Sequence, residues 1–275
     1  MNTKYEEHTF KIAELIKNYK LKKQIKYTFV IFWLFLLINP LYSQIKQSHS
    51  FVVGFLQLKD KLDLGMVFNG IQLEYRYGLH WNINGHEIIY EPKLGAGIAF
   101  SRYSIPGNVL ERSQIHFSPV NVTWTMPAYD QNGHTIRAGV NFITDYNYLY
   151  CEDLHDSPLF WTCEIGLSPV MQYSYQWDNK RISAAVRNSI FGFTSHTQRY
   201  DPYFWQSTWK DILVKPHKEL KIGSFNDYNH TNVSLEFFPN ISKMHSFAYE
   251  FDYSGFFTGN KLERINHNVL WRLSR

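Results

Sequence analysis

His116-Phe-Ser118 sets an imidazole two residues from a hydroxyl. In an extended chain residues two apart share a face, so this pair is a constellation that could do chemistry if the imidazole works as a base. Such a base needs a third group to orient it, and the positions expected beside it, Phe100, Arg102, Thr144 and Tyr146, offer no carboxylate. Glu250 and Asp252 are also two apart and could form a carboxylate pair whose proton affinities differ. Glu152, Asp153, His155 and Asp156 collect donor atoms in one short stretch, but no ligand spacing fixes an ion, so no metal is expected. A Gly-rich phosphate loop, a zinc-type cysteine pattern and a nucleotide-binding unit are all missing, so no cofactor is expected.

The elements that must position these groups are strands. From Gly70 to Trp81, Ile71, Leu73, Tyr75, Tyr77, Leu79 and Trp81 alternate with Gln72, Glu74, Arg76, Gly78 and His80. Period two means one apolar and one polar face. The pattern recurs over about 50–58, 66–81, 87–103, 112–128, 135–150, 160–177, 181–193, 230–238 and 244–257, and again through Ile265 to Leu273. That makes about ten strands, an even number as in single-chain bacterial barrels. Asn82-Ile-Asn-Gly-His86, Asp130-Gln-Asn-Gly-His134 and Asp178-Asn-Lys180 have the composition of tight turns. Links alternate between compact turns and longer loops, the longest spanning about 194–229.

Alternation alone does not say which face meets solvent, since a soluble sandwich also alternates. The apolar face is crowded with Tyr, Trp and Phe, while the polar face carries Gly, Ala, Ser and charges of both signs. A small barrel has no room inside for so many rings, whereas a lipid-facing wall with aromatic girdles does. The expected fold is therefore all-β: an antiparallel up-and-down transmembrane β-barrel of about ten strands. Its inward face would carry a network of Glu74, Arg76, Glu91, Lys93, Arg137, Glu164, Arg187, Glu236, Glu250, Asp252 and Arg272. In so narrow a lumen these charges must pair, because unpaired buried charge is costly.

Two domains are expected, a leader over 1–43 and the barrel over 44–275. The run Tyr27 to Ile38 follows Lys20, Lys22, Lys23 and Lys26 and precedes Asn39-Pro-Leu-Tyr-Ser43. It is too short to span a bilayer comfortably and fits the apolar core of a cleaved signal peptide with an extended n-region. The chain has 28 basic and 24 acidic residues. Lys4, Lys11, Lys17, Lys20, Lys22, Lys23 and Lys26 outnumber Glu6, Glu7 and Glu14 in the leader and account for the excess. The barrel is near neutral, which is no basis for nucleic-acid binding. Within the long loop, Trp205, Trp209, Ile212 and Leu213 recur at helical spacing behind Asp201-Pro202, as in a short amphipathic helix that packs on the rim or contacts a partner. Cys151 and Cys163 are the two cysteines; in an exported chain they are the candidate disulfide pair, although strand parity separates them.

Over about Ser50 to Arg275 the chain resembles small outer-membrane β-barrel proteins of Gram-negative bacteria, in architecture rather than in a signature. Their terminal Phe is replaced here by Trp271-Arg-Leu-Ser-Arg275. The resemblance implies export to the outer membrane and contact with its lipid and lipopolysaccharide. The expected function is a non-enzymatic structural, surface-binding or envelope-assembly role, with external loops that meet an envelope protein, a polysaccharide or lipopolysaccharide. The alternative follows from His116 and Ser118, which are similar to the His-x-Ser of outer-membrane phospholipase A and the lipid A deacylases. That likeness implies a lipid acyl hydrolase with Ser118 as nucleophile and His116 as base, both facing the outer leaflet. Pro119-Val120 stands where those families carry Asn-Gly.

Overall fold

The computed structural model describes residues 45–60, 66–105, 108–151, 159–189, 191–196, 214, 216–217, 220–224, 227–241, 245–257 and 261–275. The leader, the oxygen-rich loop and the loop-helix residues Trp205, Trp209, Ile212 and Leu213 lie outside them. The barrel unit is Lys46–Arg275. Its strands are β1 (Lys46–Asp60), β2 (Met66–Ile83), β3 (His86–Tyr90), β4 (Lys93–Ile105), β5 (Asn108–Gln131), β6 (His134–Cys151) and β7 (Leu159–Trp177). They continue as β8 (Lys180–Asn188), β9 (Phe191–His196), β10 (Lys221–Gly223), β11 (Tyr228–Phe238), β12 (His245–Phe256) and β13 (Leu262–Ser274).

All pairings are antiparallel, and β1 pairs with β13, Ser50 opposite Arg272, so the sheet closes on itself. Closure removes the exposed backbone edge that neither lipid nor an aggregation-free surface tolerates. The result is a ten-strand barrel. β3 and β4 make one stave, broken at Glu91 and Pro92, where proline cannot donate to the ladder. β8 and β9 make another, and β10 adds only to β9. No described helix is long and apolar enough to cross a membrane.

Tight turns gather at one end. Asn84 and Gly85 take φ of 53° and 82°, and Asn132 and Gly133 take 54° and 80°. These are the left-handed values a two-residue hairpin needs to match strand twist, and Asn and Gly adopt them at least cost. Asp178, at φ 48°, turns β7 into β8. This pole is the turn end, and the opposite pole is the loop end.

The barrel is inside out relative to a soluble fold. Leu73 is 62% exposed and Ile71 61%, while Arg76 is 2% exposed and Glu250 4%. Phe51, Val53, Phe55, Leu94, Ile115, Met171, Phe247 and Val269 continue the exposed apolar wall. Each such side chain left in water forgoes about 1.5–3 kcal/mol, and so many on one outer surface mark a face that meets a membrane or a partner. Near the turn end His86 stacks on Trp124, His134 on Tyr175 with centroids 4.5 Å apart, and His245 on Trp271. Amphipathic rings of this kind form the interfacial girdle of membrane barrels.

The sheet has one consequential irregularity. Between Phe117 and Val120 the register of β5 against β6 shifts, so three steps on β5 face two on β6, Phe117 opposite Tyr146 and Val120 opposite Thr144. The extra residue is a bulge, and a bulge moves the following side chains to the other parity. Before it the even positions Arg112, Gln114, His116 and Ser118 are buried inward; after it Asn121, Thr123 and Thr125 take that place.

Candidate functional site

Every charge expected on the polar face lies on the inner side, and the inner lattice has two centres. The first is Arg76 on β2. Its Nη1 and Nη2 donate to Glu250 Oε2 and Oε1 at 2.9 and 2.6 Å, and its Nε donates to Glu74 Oε1. Glu91 Oε2 lies 4.0 Å from the same guanidinium. Arg272, across the barrel closure, binds Glu91 at 2.8 Å and Glu236 at 3.0 and 3.1 Å, with its Nε on Ser50 Oγ. Planar guanidinium forks can meet two carboxylates at once with paired hydrogen bonds, a geometry that the single ammonium of lysine does not reproduce.

The second centre lies nearer the loop end and joins groups the inward-face list omitted. His230 on β11 bridges two carboxylates, with Nδ1 2.8 Å from Glu164 and Nε2 3.0 Å from Asp252. Tyr228 and Ser189 also donate to Glu164. Arg264 reaches Asp145 at 3.3 Å and lies 3.9 Å from Asp252. Asp145, Arg264 and His230 continue inward parities already set by Asn141, Arg272 and Glu236, so plain period-two extension along β6, β13 and β11 would have found them.

His116 and Ser118 also belong here, which corrects their expected position on the lipid face. The bulge turns both inward, and they are 5% and 0% exposed. His116 Nε2 sits 2.6 Å from Glu74 Oε2, and Ser118 Oγ donates to Asp145 Oδ1 at 2.5 Å. The two are tied to different carboxylates, and neither reaches the outer leaflet. Gly95 makes room for the ring: a Cβ there would lie 2.2 Å from His116 Cε1. The imidazole therefore has a carboxylate partner, but its serine is engaged elsewhere.

Other expected residues fall as follows. Arg137 closes the turn-end rim, donating to Gly85 O at 2.6 Å and Thr125 Oγ1 at 3.1 Å, with Glu87 3.4 Å away. Lys93 and Arg187 line cavities in the lattice. Cys163 is a buried free thiol, so the candidate disulfide does not form. It sits opposite Tyr146, and Cys151 opposite Arg112; five residues of β6, roughly 16 Å of extended chain, separate the levels, too far for a bridge. No cluster of three or more His, Cys, Asp or Glu fit to hold a metal occurs among the described residues.

Two features of the interior carry no sequence signal as charges. Toward the loop end Leu56, Leu58, Phe68, Ala99, Leu110, Leu149, Phe160 and Leu262 form a buried apolar cluster, and the Arg112 guanidinium lies 4.4 Å over the Phe68 ring. At the turn end there is instead a cavity of about 360 Å³ with Lys46, His80, Arg181, His245 and Arg272 in its wall. A second cavity of about 80 Å³ shares His80, Ile89, Gln172, Ser183, Glu236 and Arg272 with it and continues inward to Arg76 and Arg187.

No family model and no curated protein matches the chain. Among solved structures it is similar to the outer membrane protease OmpT of Escherichia coli, with 9% identity over 86% of this chain and 98% of that one, at a TM-score of 0.51. It also aligns with the β domain of the Bordetella autotransporter BrkA, with 10% identity over 84% and 99% of the two chains at a TM-score of 0.39. The neisserial surface protein NspA aligns with 11% identity over 82% and 96% at a TM-score of 0.30. At these identities the likeness is one of fold, and the fold is that of the Gram-negative outer-membrane β-barrel proteins.

Proposed function

We propose that this chain is an integral outer-membrane barrel of non-enzymatic type, exported by a cleaved leader over 1–43, with a lumen closed to conduction. Its wall meets outer-membrane lipid and lipopolysaccharide, and its external loops serve an envelope protein or a polysaccharide. The observation that carries this reading is the filling of the interior. Arg76, Arg272, Arg264 and His230 each take two or more carboxylates, and the apolar cluster around Phe68 occupies the loop end. An ion that crossed the barrel would have to pass this central belt, whose carboxylates are each held by a cation, and then the apolar loop end. The turn end is taken as periplasmic, because short turns face that side in barrels of this fold.

The test is reconstitution into planar bilayers. The expected result is an unbroken baseline from barrels whose folding is verified by heat-modifiable gel mobility. Reproducible single-channel steps from the folded protein would overturn the reading.

A further inference from the structure

The lumen cations are not all treated alike. Arg76, Arg264 and Arg272 have carboxylates. Arg181 and Arg187 enter no ion pair among the described residues, and the buried Nε of each, like that of the paired Arg264, has no hydrogen-bond partner. Both are on β8 and face inward, separated on that face by Ser183 and Ala185. Ser234 and Ala248 line the inner cavity with them. Four short side chains at adjoining inward positions are what leave this part of the barrel hollow, with Arg181 lining its outer chamber and Arg187 its inner one.

The nearby carboxylates do not answer these two guanidiniums. Glu236 and Glu91 are held by Arg272, Glu250 by Arg76, and Glu87 faces Arg137. Lys46, exposed at the mouth, adds a third cation without an ion pair among the described residues. Arg181 is also fixed in place, with its guanidinium carbon 3.9 Å over the Phe238 ring. A half-buried guanidinium with no ion-pair partner is poorly compensated, and one beside an open cavity is a receptor for an oxyanion. The outer chamber, about 360 Å³, is at the small end of the range for ligand sites.

We infer that the turn-end cavity binds a small, multiply charged oxyanion, with Arg187 gripping it in the inner chamber and Arg181 and Lys46 drawing it in electrostatically at the mouth. Phosphate and carboxylate groups share the chemistry that guanidinium forks recognise. The inference goes beyond the proposed role and does not depend on whether the loop end conducts.

The experiment is calorimetric titration of the folded barrel in detergent with pyrophosphate and, separately, citrate, together with the thermal midpoint of the heat-modifiable gel shift. Saturable binding of one or both is expected, with the tighter of the two identifying the source as phosphorylated or polycarboxylic. Arg187→Gln should weaken that binding at least tenfold, and Arg181→Gln several-fold. Lys59→Ala, the same loss of charge at the loop end, should leave it within twofold. Arg187→Gln should also raise the midpoint of the ligand-free barrel while abolishing the rise that ligand produces in the unaltered protein. A residue with only a structural role would not move those two readings in opposite directions. Failure of both anions to bind the unaltered barrel, or binding indifferent to both arginine variants, overturns the inference.

Discussion

Replacing Arg76 by Met separates a dry lumen from a wet one. Arg76 and Glu250 are 2% and 4% exposed and share two hydrogen bonds of 2.9 and 2.6 Å. In a water-filled bore such a pair contributes about 0–1 kcal/mol. In a closed interior its loss leaves Glu250 with only the weak Asn268 contact at 3.4 Å, and breaking a buried pair from one side costs about 3–5 kcal/mol. Glu74 suffers less, since His116 remains 2.6 Å away. Removing both partners, as Arg76→Met with Glu250→Leu, takes out the uncompensated charge and should cost less than the two single changes together, by at least about 1.5 kcal/mol. The assay is urea unfolding of the barrel in lipid vesicles, followed by tryptophan fluorescence and checked by gel mobility. Single variants within about 1 kcal/mol of the parent, with no coupling between them, would refute the claim that this lattice is buried from water.

Three further outcomes follow from the inner face. In a background lacking both cysteines, Val122→Cys should react with a lipid-phase probe and Thr123→Cys should not, because Thr123 is buried inward and Val122 lies on the wall. Ser118→Ala should cost about 1–2 kcal/mol through the lost hydrogen bond to Asp145, while phospholipid hydrolysis in detergent with calcium stays at the blank level before and after the change. Deleting Pro119 removes the extra residue of the bulge, so either Trp124 or Ser118 must cross to the wrong face; the expected result is loss of the folded, heat-modifiable band.

The period of the chain was legible because each strand must satisfy two different solvents at once. Ile71 to Trp81 and Phe247 to Tyr253 keep strict alternation, and the structure sets wall residue opposite wall residue, Tyr75 opposite Phe51 and Tyr249 opposite Val269. The hairpins at Asn84-Gly85 and Asn132-Gly133 were legible for a local reason, since their backbone conformation admits few other residues. Period, however, is not phase. A strand carries its alternation in its own residues, but the face that each parity meets is decided by pairing with its neighbours, and one inserted residue resets it.

β5 shows what that costs a reading of chemistry. Downstream of the bulge, Val122, Trp124 and Met126 are on the wall, and Asn121, Thr123 and Thr125 are inside. Carrying that phase back through Pro119 sends His116 and Ser118 into lipid, where a hydroxyl and an imidazole with no other partner suggest a hydrolase. With the phase reset, the same two residues meet Glu74 and Asp145, carboxylates that a lumen already crowded with Arg76 and Arg264 supplies. Pro119 was the visible warning, since a proline interrupts the ladder and is found at bulges and edges. No comparable signal marked Arg187. Whether a guanidinium on an inward parity finds a carboxylate depends on the strands around it, and the sequence of β8 says nothing about what β11, its neighbour, and β12 beyond it bring to that level. The apolar cluster at the loop end was hidden for a related reason: Leu56, Leu58 and Leu110 sit on inward parities, and only closure of the barrel turns those three strand positions into one contact.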